Sequence, residues 1–269
     1  MELIYSALLG LLQGATEFLP VSSSGHLVLA ESFFHVEEAS LTFDVALHMG
    51  TLLAVIIFFR QDLLAMLSAV CRIKSRSPED LVNRRLALFL SIATVPAVVA
   101  GLLLEDLVET TFRYPGLVSV TLILFGLLLL WSDKKGSQTR EFTDLGFKDI
   151  LIIGFAQALA IIPGVSRSGI TMTAGLFRSL DRPAVARFSF LMSTPIILGA
   201  GMYNLLKIMG QGLTDGQISF FLTGFTVSAI SGYLFILFLM NYIRTRSFAV
   251  FAYYRFALAG LILCKLYLF

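Results

Sequence analysis

The chain has 269 residues, of which 57% are hydrophobic and 14% charged, with a net charge of +2 and a mean hydropathy of +0.85. That is more apolar surface than one soluble domain can bury, so the chain is expected to live in lipid. Its Lys and Arg residues are scattered, which gives no case for a nucleic-acid partner.

The first apolar stretch, residues 2–34, has no basic leader and no small-residue cleavage pattern, so no removable signal peptide is expected. It is cut by Pro20-Val21-Ser22-Ser23-Ser24-Gly25, and each half is too short to span comfortably. Crossing about 30 Å of hydrocarbon takes roughly 20 apolar helical residues. Six segments qualify, at 41–59, 86–104, 116–131, 188–206, 218–240 and 250–269. A second broken stretch, 150–177, is interrupted by Pro163-Gly164-Val165-Ser166-Arg167-Ser168-Gly169.

Short cytoplasmic loops gather Lys and Arg. By that rule the connection holding Arg60, Arg72, Lys74, Arg76, Arg84 and Arg85 is cytoplasmic. So are those holding Lys134, Lys135, Arg140 and Lys148, and Arg244 and Arg246. The acidic stretches 31–40 and 105–109 then face outward. Segment 150–177 is followed by Arg178, Arg182 and Arg187, so a full crossing would carry three arginines outside. A re-entrant hairpin keeps them in, and the same logic turns the first broken stretch back toward the outside. Cys71 and Cys264 fall on opposite sides in this scheme, which argues against a disulfide.

A shift of 144 residues aligns Gly10, Gln13, Val21, Ser22, Ser24, Gly25 and Ala30 with Gly154, Gln157, Val165, Ser166, Ser168, Gly169 and Ala174. The predicted fold is therefore all-α and polytopic: six transmembrane helices plus two re-entrant hairpins in inverted-topology repeats. The chain forms one domain, 1–269, with repeats of about 1–131 and 150–269.

Irregular backbone at membrane depth needs protein or water around it, so both breaks should meet in one buried polar cavity. Each Ser-x-Ser-Gly opens a helix, whose N-terminus favours an anion; two such ends could hold a pyrophosphate. The same residues could instead merely cap and turn the hairpins. Arg167 argues for a task, because a charge at the bilayer centre costs roughly 2.5–3.5 kcal/mol and its planar fork matches phosphate oxygens. Glu17, Ser22, Ser23, Ser24 and His26 supply a carboxylate, hydroxyls and a proton acceptor within one short loop, a set suited to phosphoryl transfer. The structural alternative pairs Glu17 with Arg167 and leaves His26 as a helix cap. In the second copy Glu17, Ser23 and His26 become Ile161, Arg167 and Ile170. Asp44 and His48, spaced i, i+4, could extend the polar cavity together with Gln13, although they read first as a structural pair. Arg255 reads as snorkelling toward the cytoplasmic interface.

The stretch Gln13 to His26, QGATEFLPVSSSGH, and Pro163 to Gly169, PGVSRSG, closely resemble the two signature motifs of the bacitracin-resistance type undecaprenyl pyrophosphate phosphatases. The likeness extends to FDVALHMGTLLAVI and to YRF near the end. It implies an inner-membrane phosphatase of cell-wall synthesis that acts on a polyprenyl pyrophosphate, with an outward-open site and a homodimeric state. Carried over residue by residue, it implies Glu17, Ser23, His26 and Arg167 as catalytic groups. Gln13, Ser22, Ser24, Gly25, Ser166, Ser168 and Gly169 would bind substrate. Ser23 is the candidate nucleophile, His26 its base or an alternative nucleophile, and Glu17 orients His26 or binds Mg²⁺ or Ca²⁺. Many members carry Glu where this chain has Gln13 and Thr where it has Ser24, and Gln13 removes a charge from any metal site. A secondary transporter or flippase of an anionic polyprenyl lipid is the rival expectation.

Overall fold

The computed structural model describes residues 2–26, 41–107, 112, 114–208 and 215–268. Its helices are α1 (Glu2–Phe18), α2 (Leu41–Phe58), α3 (Arg60–Cys71), α4 (Pro78–Leu107) and α5 (Pro115–Lys135). They continue with α6 (Phe147–Ala158), α7 (Arg167–Phe177), α8 (Arg182–Ile208), α9 (Asp215–Tyr242) and α10 (Ala249–Leu268). Residues 23–26 form one further helical turn. Five helices are long and apolar enough to cross a membrane, and α2 with α3 makes a sixth if that bent pair counts as one. The protein is an all-α, multi-pass membrane protein whose outer surface carries exposed residues such as Leu102, Leu103 and Tyr267. The acidic stretches 31–40 and 105–109 lie wholly or partly outside the described residues.

One segment corrects the expectation from sequence. The basic connection after residue 60 is not all loop: α3 follows α2 across a 79° bend and buries Met66 and Ala69. Arg84 folds back from α4 and donates to the carbonyls of Ala69 at 3.1 Å and Arg72 at 2.8 Å. A charge read as a topology signal thus also caps α3, supplying Ala69 O with a donor and adding a second to Arg72 O, which also accepts from the Ser75 amide. Cys71 and Cys264 are both free and exposed.

Small residues fix where α1 ends. A Cβ on Gly10 would lie 2.6 Å from Gly224 O, and one on Gly14 would lie 2.6 Å from the Gly232 amide. A Cβ on Gly50 would come within 2.4 Å of Phe225 O. Backbones of α1, α9 and α2 therefore touch directly, as small residues permit between membrane helices. Ser228 and Ser231 of α9 donate to Leu47 O and Gly10 O across these contacts. Beyond them Phe18 is buried edge-on against Phe190, with ring centroids 5.2 Å apart. The C-terminal turn of α1, with Gln13 and Glu17, is buried as a result.

A charged cluster ties several connections together. Asp149, in the first turn of α6, accepts from Arg140 and from Arg178, which follows α7, at 2.6 and 2.7 Å. Asp133 accepts from Arg182 and from the Phe248 amide, and Arg187 pairs with Asp62. All three arginines after the second break are engaged by carboxylates at the ends of neighbouring helices, Asp149 of α6, Asp133 of α5 and Asp62 of α3. Burial opposes the charge on Asp149, yet the two guanidinium hydrogen bonds and the Gly146 amide outweigh it and hold its pKa at about 2.

Candidate active site

The two chain breaks adopt the same local geometry. Ser22 and Ser166 both have positive φ, 76° and 68°, a conformation that non-glycine residues seldom take. Each hydroxyl accepts from the amide three residues on, Gly25 at 3.2 Å and Gly169 at 3.1 Å. Each also lies 3.2 Å from the hydroxyl two residues on, Ser24 and Ser168. These are N-cap contacts, and the positive φ turns the chain sharply ahead of the new helix. At the second break Gly164 adopts φ +89°, and a Cβ there would sit 2.1 Å from Thr121 Oγ1. Thr121 donates to Pro163 O at 2.7 Å, which seats this break on α5. The breaks also touch each other, as Ser168 Oγ donates to Leu19 O at 3.2 Å.

Glu17 is the hub. Its Oε1 accepts from Arg167 Nη2 at 2.7 Å, while Oε2 accepts from Gln13 Nε2 at 3.0 Å and Ser23 Oγ at 3.1 Å. Arg167 Nη1 donates to Ser189 O at 2.9 Å, so α8 fixes the plane of the guanidinium. The amide orientation of Gln13 follows from its bond to Glu17, which leaves the buried Oε1 of Gln13 without a hydrogen-bond partner. A hydroxyl, a carboxylate and an arginine fork thus form one chain of contacts, flanked by two helix N-termini. That arrangement can bind a phosphoryl group, take the proton of an attacking hydroxyl and neutralise developing charge.

Two expected pairings are different in the structure. His26 is not bonded to Ser23 or Glu17. Its Nδ1 lies 2.7 Å from Ser22 O and its Nε2 lies 2.7 Å from Tyr254 Oη, and its ring stacks on Tyr254 at 5.6 Å. Capping geometry turns the imidazole back over its own turn, toward α10 and away from the carboxylate. His48 is likewise not paired with the Asp44 side chain in the expected manner. Its Nδ1 meets the Asp44 backbone carbonyl at 2.8 Å, and its Nε2 points at Glu17 Oε2, 3.6 Å away.

Arg255 overturns a third expectation. It is fully buried and donates to Leu122 O, Gly164 O and Val165 O, so its head does not snorkel. Sequence reasoning placed His48 as a possible extension of the polar cavity, which its approach to Glu17 bears out, but missed Tyr254 and Arg255 as neighbours of the site. For Arg255 a signal was present, since a charge inside an apolar helix needs a partner or a task. For Tyr254 nothing in local spacing distinguished it.

Residues 6–261 match the family described as bacitracin resistance protein BacA. The chain belongs to that family. An undecaprenyl-diphosphatase of Rubrobacter xylanophilus is 48% identical over 272 residues, covering 100% of both chains. One of Desulforudis audaxviator is 50% identical over 247 residues, covering 92% of this chain and 91% of the relative. One of Moorella thermoacetica is 45% identical over 269 residues, covering 100% and 99%. Both breaks and every site residue named above lie inside the matched BacA region.

Proposed function

We propose that this BacA-family protein is an enzyme that hydrolyses undecaprenyl pyrophosphate to undecaprenyl phosphate and inorganic phosphate, recycling the lipid carrier of cell-wall synthesis. The observation that carries the mechanism is the contact chain Ser23–Glu17–Arg167. The Glu17–Arg167 pair alone would serve structure equally well; a hydroxyl on the same carboxylate gives it a chemical use.

In the proposed reaction Ser23 Oγ attacks the terminal phosphorus and passes its proton to Glu17 Oε2. The bond from that phosphorus to the bridging oxygen breaks, and undecaprenyl phosphate leaves. Its departing oxygen belongs to a phosphate, so it needs little proton assistance. Water then adds to the phosphoserine, and Ser23 Oγ leaves with the proton held by Glu17, giving inorganic phosphate. Arg167 and the amides that open the two helices neutralise the equatorial oxygens. His26, held by Tyr254, shapes the first turn and caps it rather than acting as the base for Ser23.

A divalent cation, Mg²⁺ or Ca²⁺, fits this reading only with help from substrate. Among the described residues no group of three His, Cys, Asp or Glu side chains could hold a metal. Glu17 and the unpartnered Oε1 of Gln13 are hard oxygen donors of the right class. When bound, the cation would offset charge on the pyrophosphate.

The two breaks are proposed as re-entrant hairpins of an inverted repeat, with the site open to the outer face of the inner membrane and the protein a homodimer. The hairpin reading of the second break is supported by the Asp149–Arg178 bond, which brings the start of α6 beside the end of α7. The repeat is supported by the shared geometry of Ser22 and Ser166. The test of function is phosphate release from undecaprenyl pyrophosphate by purified protein in detergent. Scrambling of the lipid in liposomes without any release would make it a carrier instead.

A further inference from the structure

Breaking a helix at membrane depth leaves carbonyls without the amide donors that a continuous helix supplies, and each must find another partner. Among the described residues the carbonyls of Pro20, Gly164 and Val165 accept no backbone amide. All three accept from one side chain. Arg255 Nη2 reaches Gly164 O at 2.8 Å and Val165 O at 3.0 Å, and Nη1 reaches Pro20 O at 3.5 Å. Its Nε donates to Leu122 O of α5 at 3.2 Å. Arg255 lies six residues into α10, about 9 Å along its axis, and is completely buried.

Its charge is as telling as its reach. Every acceptor is a neutral carbonyl, and among the described residues no carboxylate pairs with it. A buried guanidinium without a counterion is costly unless something anionic uses its field. The guanidinium lies against the start of α7: a Cβ on Gly169 would meet Nη1 at 2.9 Å. Glycine at 169 therefore admits the cation to the place where the helix amides face an anion. The preceding residue, Tyr254, holds His26 of the first break at 2.7 Å. Adjacent residues of α10 thus grip both breaks.

We propose that Arg255 is a positioning residue for phosphoryl transfer, holding the two breaks in register while its unpaired charge deepens the anion cradle between them. This rests on the reading of the protein as a lipid pyrophosphatase. It separates two contributions. The fork sets the relative placement of Ser23 and Arg167, which governs kcat. The charge favours the bound pyrophosphate, which governs KM.

The test compares Arg255→Lys and Arg255→Gln with the wild type in the full-length protein in detergent, measuring kcat, KM for undecaprenyl pyrophosphate, and Tm. Arg255→Lys keeps the charge and loses the fork, so kcat should fall about 100-fold with KM within about threefold. Arg255→Gln should lose kcat similarly and raise KM about tenfold as well. Tm will fall in both variants, because buried carbonyls lose their donor, so kcat is taken per folded enzyme at a temperature well below each Tm. Wild-type kcat in Arg255→Lys overturns the proposal, and so does a loss of turnover that merely tracks loss of folded protein. If neither variant folds, Gly169→Ala displaces the guanidinium while leaving Arg255 in place. Its kcat should fall about tenfold, and wild-type kcat there overturns the proposal too. Wild-type protein that releases no phosphate refutes the lipid pyrophosphatase reading instead.

Discussion

Arg167 and Glu17, 150 residues apart in sequence, meet through a 2.7 Å bond from Nη2 to Oε1. The contact closes one break on the other and leaves the carboxylate's second oxygen for Ser23. Removing the fork in Arg167→Ala should lower kcat about 1000-fold. Arg167→Lys should recover little, because one ammonium cannot meet both Glu17 and Ser189 O in the same plane. Steady-state kinetics of both variants check this; near-normal kcat in Arg167→Lys removes the argument from geometry.

The partners of Ser23 and His26 separate two nucleophiles. Since Ser23 donates to Glu17 and His26 is held by Tyr254, Ser23→Ala should abolish turnover while the protein stays folded and binds lipid pyrophosphate. Glu17→Gln should cost about 100-fold or more in kcat as a lost general base. Rapid acid quench should trap phosphate on serine. A phosphohistidine at position 26 would show that the ring leaves Tyr254 and attacks.

Gln13 tests the cation. A second carboxylate beside Glu17 would repel pyrophosphate unless a divalent ion bridged the two, whereas the amide leaves Arg167 more of the neutralising work. Gln13→Glu should therefore raise the dependence of turnover on added Mg²⁺ or Ca²⁺, and the wild type should keep measurable activity in chelator. Metal titrations of both proteins on one lipid substrate decide it. A shared midpoint, with a wild type silenced by chelation, would place the ion on the substrate phosphates alone.

Asp149 links stability to pH. Its folded pKa lies at about 2, below the ordinary 3.8, so the stabilisation is fully present above about pH 4 and is lost as pH falls toward 2. Asp149→Asn should lower Tm by about 5 °C at pH 7 and flatten the acid limb of the stability curve. Thermal unfolding in detergent across that range checks both. An unchanged acid limb would show that Arg140 and Arg178 find other partners.

Orientation is open to labelling. With Cys71 and Cys264 replaced by serine, Lys148→Cys and Ser179→Cys should both resist an impermeant outside reagent in intact cells if, as proposed, they flank a hairpin that returns to the cytoplasm. Labelling at 179 but not at 148 would mean that the second broken segment crosses.

Much of this protein was legible in order along the chain. Five of the six apolar runs became helices long enough to span, and the sixth became α2, which bends into α3, because a lipid-facing helix satisfies its backbone internally and needs only length and hydropathy. The breaks were legible because Pro, Gly and Ser interrupt such runs, and the 144-residue correspondence foretold that Ser22 and Ser166 would share one geometry. Arg167 stood out as a charge without an obvious reason to be there. The partners of these groups were not legible. Whether Ser23 faces His26 or Glu17 depends on how a cap turns an imidazole, and that depends on Tyr254, 228 residues away. His48 reaches Glu17 only because glycines let α1, α2 and α9 touch backbone to backbone. Arg255 looked like an interfacial arginine from its place near a helix end; only the convergence of two broken helices supplied the bare carbonyls that hold it. Hydropathy and helix breaks are local and one-dimensional, so sequence determined them. Hydrogen-bond partners across helices depend on distances that only close-packed tertiary structure sets.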